Sequence, residues 1–307
     1  MTGQKTTINR VLYKAVSSTV RATSNFLPTI ALVAGSVAAA SVPSVLKHYS
    51  LDSELMMQWK LPDKLNEISG LATTPDGRLL AVDDEKAVIY EIDHDEGRIV
   101  KKFALGKPTV KGDFEGIAVA DDLVYVTTSK GRVYVSAEGA DGQRVTFDNF
   151  DTGIGTYCEI EGLVQSTDNS KLYFLCKKAR TKSGVRGLTL FAWDIAGRQL
   201  QPDDSVLLPE REIMQRLRID RFSPSGVTID RESGNRIVVA SRQRVLVELT
   251  PDGKLVDARH LPTARHRQAE GIELVIDGKL VIADEGGTHK ARLAIYPRDR
   301  TSDNYHD

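Results

Sequence analysis

A small or acidic residue followed by glycine heads an apolar run five times along the chain, at Gly70, Gly116, Gly162, Gly226 and Gly271. Successive glycines are 46, 46, 64 and 45 residues apart. A period of about 40 to 50 residues suits a four-stranded propeller blade better than a helical repeat. The stretches NEISGLATTPDGRLLAVDDEKAVIYEI from Asn66 and FSPSGVTIDRESGNRIVVASRQRVLVEL from Phe222 show the unit: short runs rich in Val, Ile, Leu and Tyr, divided by polar turns. TPDG at 74 to 77 and 250 to 253, ESGN at 232 to 235 and IDGK at 276 to 279 supply the Asp, Asn and Gly that tight hairpins need. Repeats one to four each hold four such runs, whereas the fifth holds three, GIELVI, LVIADE and RLAIYP. LMMQWKLP, residues 55 to 62, precedes the first repeat and is the spare strand. Placed on the outside of the last blade, it closes the ring and leaves no unpaired edge. The expected fold is all-β, a five-bladed propeller of four-stranded antiparallel blades closed by an N-terminal strand. A sixth blade inside the interval from 162 to 226 is the alternative, against which PEREIMQRLRID there reads as a short helix.

Bulk charge excludes little except nucleic acid as a partner, since the net charge is −1. Its distribution is uneven. The first 51 residues hold Lys5, Arg10, Lys14, Arg21 and Lys47 and no Asp or Glu, and they include the apolar stretch FLPTIALVAGSVAAASVP, residues 26 to 43. Basic leader, apolar centre and the small residues AAAS resemble an export signal cleaved after Ala40. A membrane anchor over residues 26 to 46 and a solvated helix are the alternatives. The first two place the propeller outside the cytoplasm, as a periplasmic, secreted or inner-membrane-anchored protein that meets the membrane only through this segment. The expected division is a leader over 1–50, a propeller over 51–299 and a polar tail over 300–307. Cys158 and Cys176 flank the turn TDNSK and fall on neighbouring strands, where a disulfide and two buried free thiols are the alternatives.

The stretches EISGLATTPDGRLLAV, FEGIAV, YCEIEGLVQS with KLYFLCKKA, SPSGVTIDRESGNRIVVAS and QAEGIELVIDGKLVIADE resemble the blade signatures of the SdiA-regulated β-propeller family over about residues 55 to 297. That family comprises bacterial envelope proteins and includes a calcium-regulated β-propeller discussed as phytase-like. The resemblance implies an envelope location and a calcium response; the scaffold itself leaves the activity open.

In a propeller the first strand of each blade is innermost, so the residue before each glycine is carried towards one axis. That position reads Ser69, Glu115, Glu161, Ser225 and Glu270. Converging carboxylates repel unless a cation or raised pKa values relieve them. The ends of the second strands approach the same mouth, with Asp83, Asp84, Asp284 and Glu285 as an acidic arc on blades five and one, and Lys177, Lys178 and Arg242 as a basic arc on blades three and four. Glu115, Glu161, Glu270, Asp84 and Glu285 are therefore the candidate metal ligands. Their oxygens, with backbone carbonyls brought close by the glycines, suit calcium; the six histidines are scattered and give zinc no cluster. Lys177, Lys178 and Arg242 are the candidate anion ligands, and pairing of the acids with these cations as a plain channel lining is the bland alternative. Arg265, His266 and Arg267 read as a solvated run or an anion contact, and His289 as a surface histidine. A serine-hydrolase elbow, a phosphate loop with lysine and a His-Glu-x-x-His motif are all missing from the sequence. Two functions fit: an envelope module that binds calcium and presents a surface to a small anionic ligand or an envelope protein, or a calcium-dependent phosphomonoesterase.

Overall fold

The computed structural model describes residues 43–179 and 187–299. Of the expected leader over 1–50, residues 1–42 lie outside them, as does the polar tail over 300–307. Among the described residues no helix is long and apolar enough to cross a membrane.

Strand β1 (Met57–Lys60) lies apart from the rest of the first repeat. Blade one follows as β2 (Ile68–Thr73), β3 (Leu79–Asp83), β4 (Val88–Asp93) and β5 (Arg98–Leu105). Blade two is β6 (Phe114–Ala120), β7 (Leu123–Thr128) and β8 (Arg132–Ala137); the two-residue β9 (Arg144–Val145) then returns to lie parallel on β5 before β10 (Asp148–Asp151) completes the blade. Blade three is β11 (Cys158–Gln165), β12 (Lys171–Ala179), β13 (Thr189–Asp194) and β14 (Gln199–Leu207); blade four is β15 (Gly226–Ile229), β16 (Arg236–Ala240), β17 (Val245–Leu249) and β18 (Leu255–His260). Blade five takes β19 (Ala269–Leu274), β20 (Leu280–Asp284) and β21 (Arg292–Tyr296) from the C-terminal end of the chain and β1 from the start. The spare strand therefore closes the ring as expected, antiparallel to β21 with Met57 opposite Ile295 and Lys60 opposite Arg292. The long interval before Gly226 holds no sixth blade among the described residues; it contains α1 (Glu210–Leu217), whose Ile213 and Leu217 are buried. In β11 and β12 the buried Cys158 faces Ala179 and the buried Cys176 faces Ile160.

The signature glycines are explained by blade packing. A Cβ on Gly116 would sit 2.5 Å from the Leu163 amide nitrogen, and one on Gly226 would sit 2.2 Å from the Glu270 carbonyl oxygen. Gly70 likewise abuts Gly116, Gly162 abuts Val227 and Gly271 abuts Leu71, so each glycine meets the innermost strand of the next blade around the ring. This corrects the expectation that the glycines open carbonyls towards a metal; their missing side chains let adjacent blades touch. The residue after each glycine, Leu71, Ile117, Leu163, Val227 and Ile272, is buried on the axis. A void of about 10 Å³ is all that remains there, room for one water at most. The five aliphatic side chains thus turn the channel into a cup closed at its floor.

The chain ahead of β1 packs on the opposite face. Val45, Leu46, Tyr49 and Leu51 are buried against Ile237, Leu246, Leu280 and Tyr296, so close packing begins upstream of residue 51. The fully buried Glu248 holds this segment: its carboxylate accepts from the Ser44 hydroxyl (2.7 Å), the amides of Val45 (2.8 Å) and Leu46 (3.0 Å) and the Asn235 side chain (2.7 Å). Glu248→Ala leaves these donors without their acceptor, and at ~1–3 kcal/mol for each unsatisfied buried donor the expected loss is about 3 kcal/mol or more. The check is a lower urea midpoint with an unchanged m-value.

Candidate cation site at the channel mouth

The position before each glycine is special because the strand ladder slips there. Ile68 faces Asp83 and Gly70 faces Val82, which leaves Ser69 as the extra residue. The same slip leaves out Glu115 between Phe114 and Gly116, and Glu270 between Ala269 and Gly271. In β11 it falls between Ile160 and Leu163, at Glu161. A bulge re-aims the side chain of its unpaired residue, and bulges recur beside functional sites. In blade four, Ser225 instead donates its hydroxyl to the Ala269 carbonyl (2.8 Å) and accepts from the Ser241 amide (3.0 Å), which ties blades four and five together.

The result is a cup of about 230 Å³ lined by eight carboxyl groups, Glu67, Asp84, Asp113, Glu115, Glu159, Glu161, Glu270 and Glu285, and one lysine, Lys177. All five residues put forward as metal ligands are in it. Three further acids outside the candidate ligand set line it: Glu67, Asp113 and Glu159 each stand three residues before a signature glycine. Gln268 holds that place in blade five and also lines the cup. The period of two along a strand, applied one step further back, was the available signal.

Burial with insufficient counter-charge raises these carboxyl groups. Desolvation, followed by repulsion from Glu161 and Asp113, pushes Glu115 up to about 9. Desolvation and the Glu161 charge raise Glu270 to about 8. Glu161 rises to about 7 by desolvation, although Lys177 opposes this with an ion pair at 2.6 Å. Asp84 is raised to about 7 by desolvation and the Glu67 charge, and burial also raises Glu285. Asp84 hydrogen-bonds Glu67, and Glu161 hydrogen-bonds Glu159; a carboxyl pair of this kind shares a proton or brackets a cation. The Asp84 Oδ1 atom is buried with no hydrogen-bond partner. Among the described residues, no group of three or more His, Cys, Asp or Glu side chains is disposed to hold a metal ion; the acids line a basin of about 230 Å³ without closing on one point.

A carboxyl raised above its unfolded value keeps the proton in the folded state. Its stabilisation is complete below the unfolded pKa near ~4 and is lost as pH rises through the folded value. With folded values of about 7 to 9 at Asp84, Glu161, Glu270 and Glu115, the metal-free protein is expected to melt at progressively lower temperature between pH 5 and pH 9. Calorimetric scans across that range check the direction, and Glu115→Gln with Glu270→Gln should flatten the profile.

The two predicted arcs are partly redrawn. Asp84 and Glu285 reach the cup, but Asp284 is buried and faces away. It accepts from the amides of Arg267 (2.7 Å) and Gln268 (3.0 Å) and bonds His266 Nδ1 at 2.7 Å, while His266 Nε2 meets the Tyr296 hydroxyl at 2.6 Å. Adjacent strand residues point to opposite sides, which separates Asp284 from Glu285 and Asp83 from Asp84. The run Arg265 to Arg267 is likewise not uniformly solvated. His266 is fully buried, and Arg265 donates to the Leu51 (2.7 Å), Ser53 (3.0 Å) and Asp52 (3.1 Å) carbonyls. Of the anion candidates, Lys177 is committed to Glu161. Arg242 lines a neighbouring recess of about 570 Å³ with Arg221, Phe222 and Ser223, and Glu159 and Lys177 line both the recess and the cup. Lys178 faces Glu159 in the ladder; its side chain lies outside the described residues.

No curated protein matches the chain in sequence. In structure it is similar to the glutaminyl cyclase of Myxococcus xanthus, at 13% identity over 78% of this chain and 94% of that one, with a TM-score of 0.52. A luciferin-regenerating enzyme is similar at 12% identity over 78% and 95%, with a TM-score of 0.50. A protein of unknown function from Bacteroides caccae is matched at 15% identity and a TM-score of 0.41, over 67% of this chain and 65% of that one. Identities this low speak for the fold alone. Residues 208–304, which carry α1, blade four and the three C-terminal strands of blade five, match the SdiA-regulated family, the family that the blade motifs resemble.

Proposed function

We propose that the protein is an envelope binding module that takes up a hard divalent cation, calcium, in the cup at its channel mouth. The observation that carries this reading is the imbalance of eight carboxyl groups against one lysine in a basin sealed below. Glu115, Glu161, Glu270, Asp84 and Glu285 would hold the ion, and Glu67 and Glu159 stand beside them as paired acids. Calcium accepts carboxylate, carbonyl and water oxygens in tolerant geometry. At ~30 Å³ per water, 230 Å³ leaves space for a partly hydrated ion. Bound calcium would supply the positive charge that the raised pKa values show to be lacking. The basic leader with its apolar stretch supports a place outside the cytoplasm.

A second reading, a calcium-dependent phosphomonoesterase, is favoured by one observation: the recess holding Arg221 and Arg242 shares Glu159 and Lys177 with the cup. Arginines there suit a phosphate, and an anion would lie beside the cation. We prefer the binding module because calcium lowers the pKa of bound water far less than zinc does. Calorimetric titration of the full chain with calcium and with magnesium, followed by a phosphatase screen on the same sample, decides. Saturable calcium uptake without phosphate release supports the module; uptake with calcium-dependent phosphate release supports the esterase. No uptake of either ion removes both.

A further inference from the structure

A recess of about 650 Å³ opens on the seam where β1 closes the ring. Its wall residues Asn66 and Arg267 directly precede Glu67 and Gln268 of the cup, so the two openings share a rim. Its charge is opposite. Lys60 of β1, Arg292 of β21, Arg267 of the loop before β19 and Lys290 of the loop after β20 line it, with His289, against a single carboxylate, Asp63. Asp63 pairs with Lys290. Among the described residues Lys60, Arg267 and Arg292 have no ion-pair partner. Moreover, Lys60 and Arg292 are directly opposite each other in the closing ladder. Like charges in that relation repel and weaken strand pairing, here at the pairing that completes the fold; on its other side Arg292 faces the buried Asp284 of β20, whose carboxylate is taken up by His266 and the Arg267 and Gln268 amides.

The walls are also held in place. The Asn66 carbonyl accepts from the Gly286 amide (2.7 Å), its side-chain oxygen accepts from the Ala291 amide (3.2 Å), and its side-chain nitrogen donates to the Gly287 carbonyl (3.2 Å). The loop that presents His289 and Lys290 is thereby fixed to blade one. Two arginines and two lysines converging on one fixed recess match the flat, many-oxygen face of a phosphate group, which arginine binds through paired N–H donors.

We propose that this seam recess is a binding site for a phosphate-bearing anion, separate from the cation cup, and that its occupant relieves the Lys60–Arg292 repulsion and so locks the ring closed. It requires neither calcium in the cup nor any catalytic activity.

The test uses the full chain in calcium-free buffer at low salt with inorganic pyrophosphate as the probe. Calorimetry should show saturable binding of one pyrophosphate, and the melting temperature should rise with its concentration. Arg267→Gln with Arg292→Gln should weaken binding at least tenfold. Arg132→Gln with Lys254→Gln, which removes two positive charges from blades two and four, should leave it within twofold. Lys60→Gln is the decisive single change. It should raise the melting temperature of the ligand-free protein, because the cross-strand repulsion is gone, while weakening pyrophosphate binding; a purely structural Lys60 would not give these opposite signs. Lys60 is exposed at the strand end, so this variant tests the site even if the double arginine variant does not fold. Absence of saturable binding, equal binding by the Arg267/Arg292 variant, or a Lys60→Gln protein that is less stable without ligand would each overturn the proposal.

Discussion

A chain that begins at Pro62 is expected to lose its cooperative unfolding transition. The truncation removes β1, leaving the outer edge of β21 unpaired from Arg292 to Ile295. An exposed edge of this kind is a template for pairing with other chains. It also removes Val45, Leu46, Tyr49, Leu51 and Leu61, all buried against blades five, four and one. At ~1.5–3 kcal/mol for each large apolar side chain taken from water, the five together represent on the order of 10 kcal/mol. That is comparable to the whole net stability of an ordinary domain, about 5–15 kcal/mol. Glu248 and Arg265 would be stranded as well. Glu248 would lose three of the four donors described above, and Arg265 the three carbonyls it binds. The expected calorimetric trace is therefore broad or featureless, with aggregation at micromolar concentration. A sharp transition within a few degrees of the full chain would mean that four blades and an open fifth suffice, and closure would then have little energetic weight.

The fold was legible because its determinants repeat. Five glycines at nearly constant spacing, three runs after Gly271 and a spare run before Asn66 are enough to count blades and to place the closing strand. What the spacing does not reveal is why glycine is required. Both a ligand approach and a blade-to-blade approach demand a missing Cβ, and only the position of Leu163, Val227 and Glu270 across the interface separates them. The cup was partly legible for a similar reason. Glu115, Glu161 and Glu270 stand out because the bulge recurs in register with the glycine. Glu67, Asp113 and Glu159 needed the additional step that the strand continues its alternation into the preceding loop. Asp284 was misplaced because a pair of adjacent acids reads as one patch in sequence, whereas in a strand the two point to opposite sides. His266 was not legible at all. It lies between two arginines, and its burial depends on Tyr296, 30 positions away in the chain. The seam recess belongs to the same class: Lys60 and Arg292 stand near opposite ends of the propeller sequence, and only ring closure puts them face to face.

Calcium at a hundredfold excess over its dissociation constant is expected to stabilise the wild-type protein by about 2.7 kcal/mol if it binds the native state alone. For a domain of this size that is a rise of roughly 5–10 °C in melting temperature. Replacing Glu115, Glu161 and Glu270 together by glutamine keeps side-chain size and removes the three bulge carboxyls, so the rise should vanish. Glu161 also holds Lys177 at 2.6 Å, and its loss leaves that lysine without its ion-pair partner. A second variant, Glu115→Gln with Glu270→Gln, leaves the ion pair intact and should lose most of the calcium response without that side effect. The ligand-free variants add an independent sign. Because Glu115 and Glu270 sit at about 9 and 8, ionising them above those values costs the folded state stability, and glutamine has no charge to acquire. At pH 9 without calcium both variants should therefore melt at or above the wild type, and at pH 9 with calcium the order should reverse. If the wild type ignores millimolar calcium at every pH while the variants are still stabilised at pH 9, the carboxyls are a strained structural lining. In that case the binding module and the calcium-dependent esterase fall together, because both depend on the same ion in the same cup.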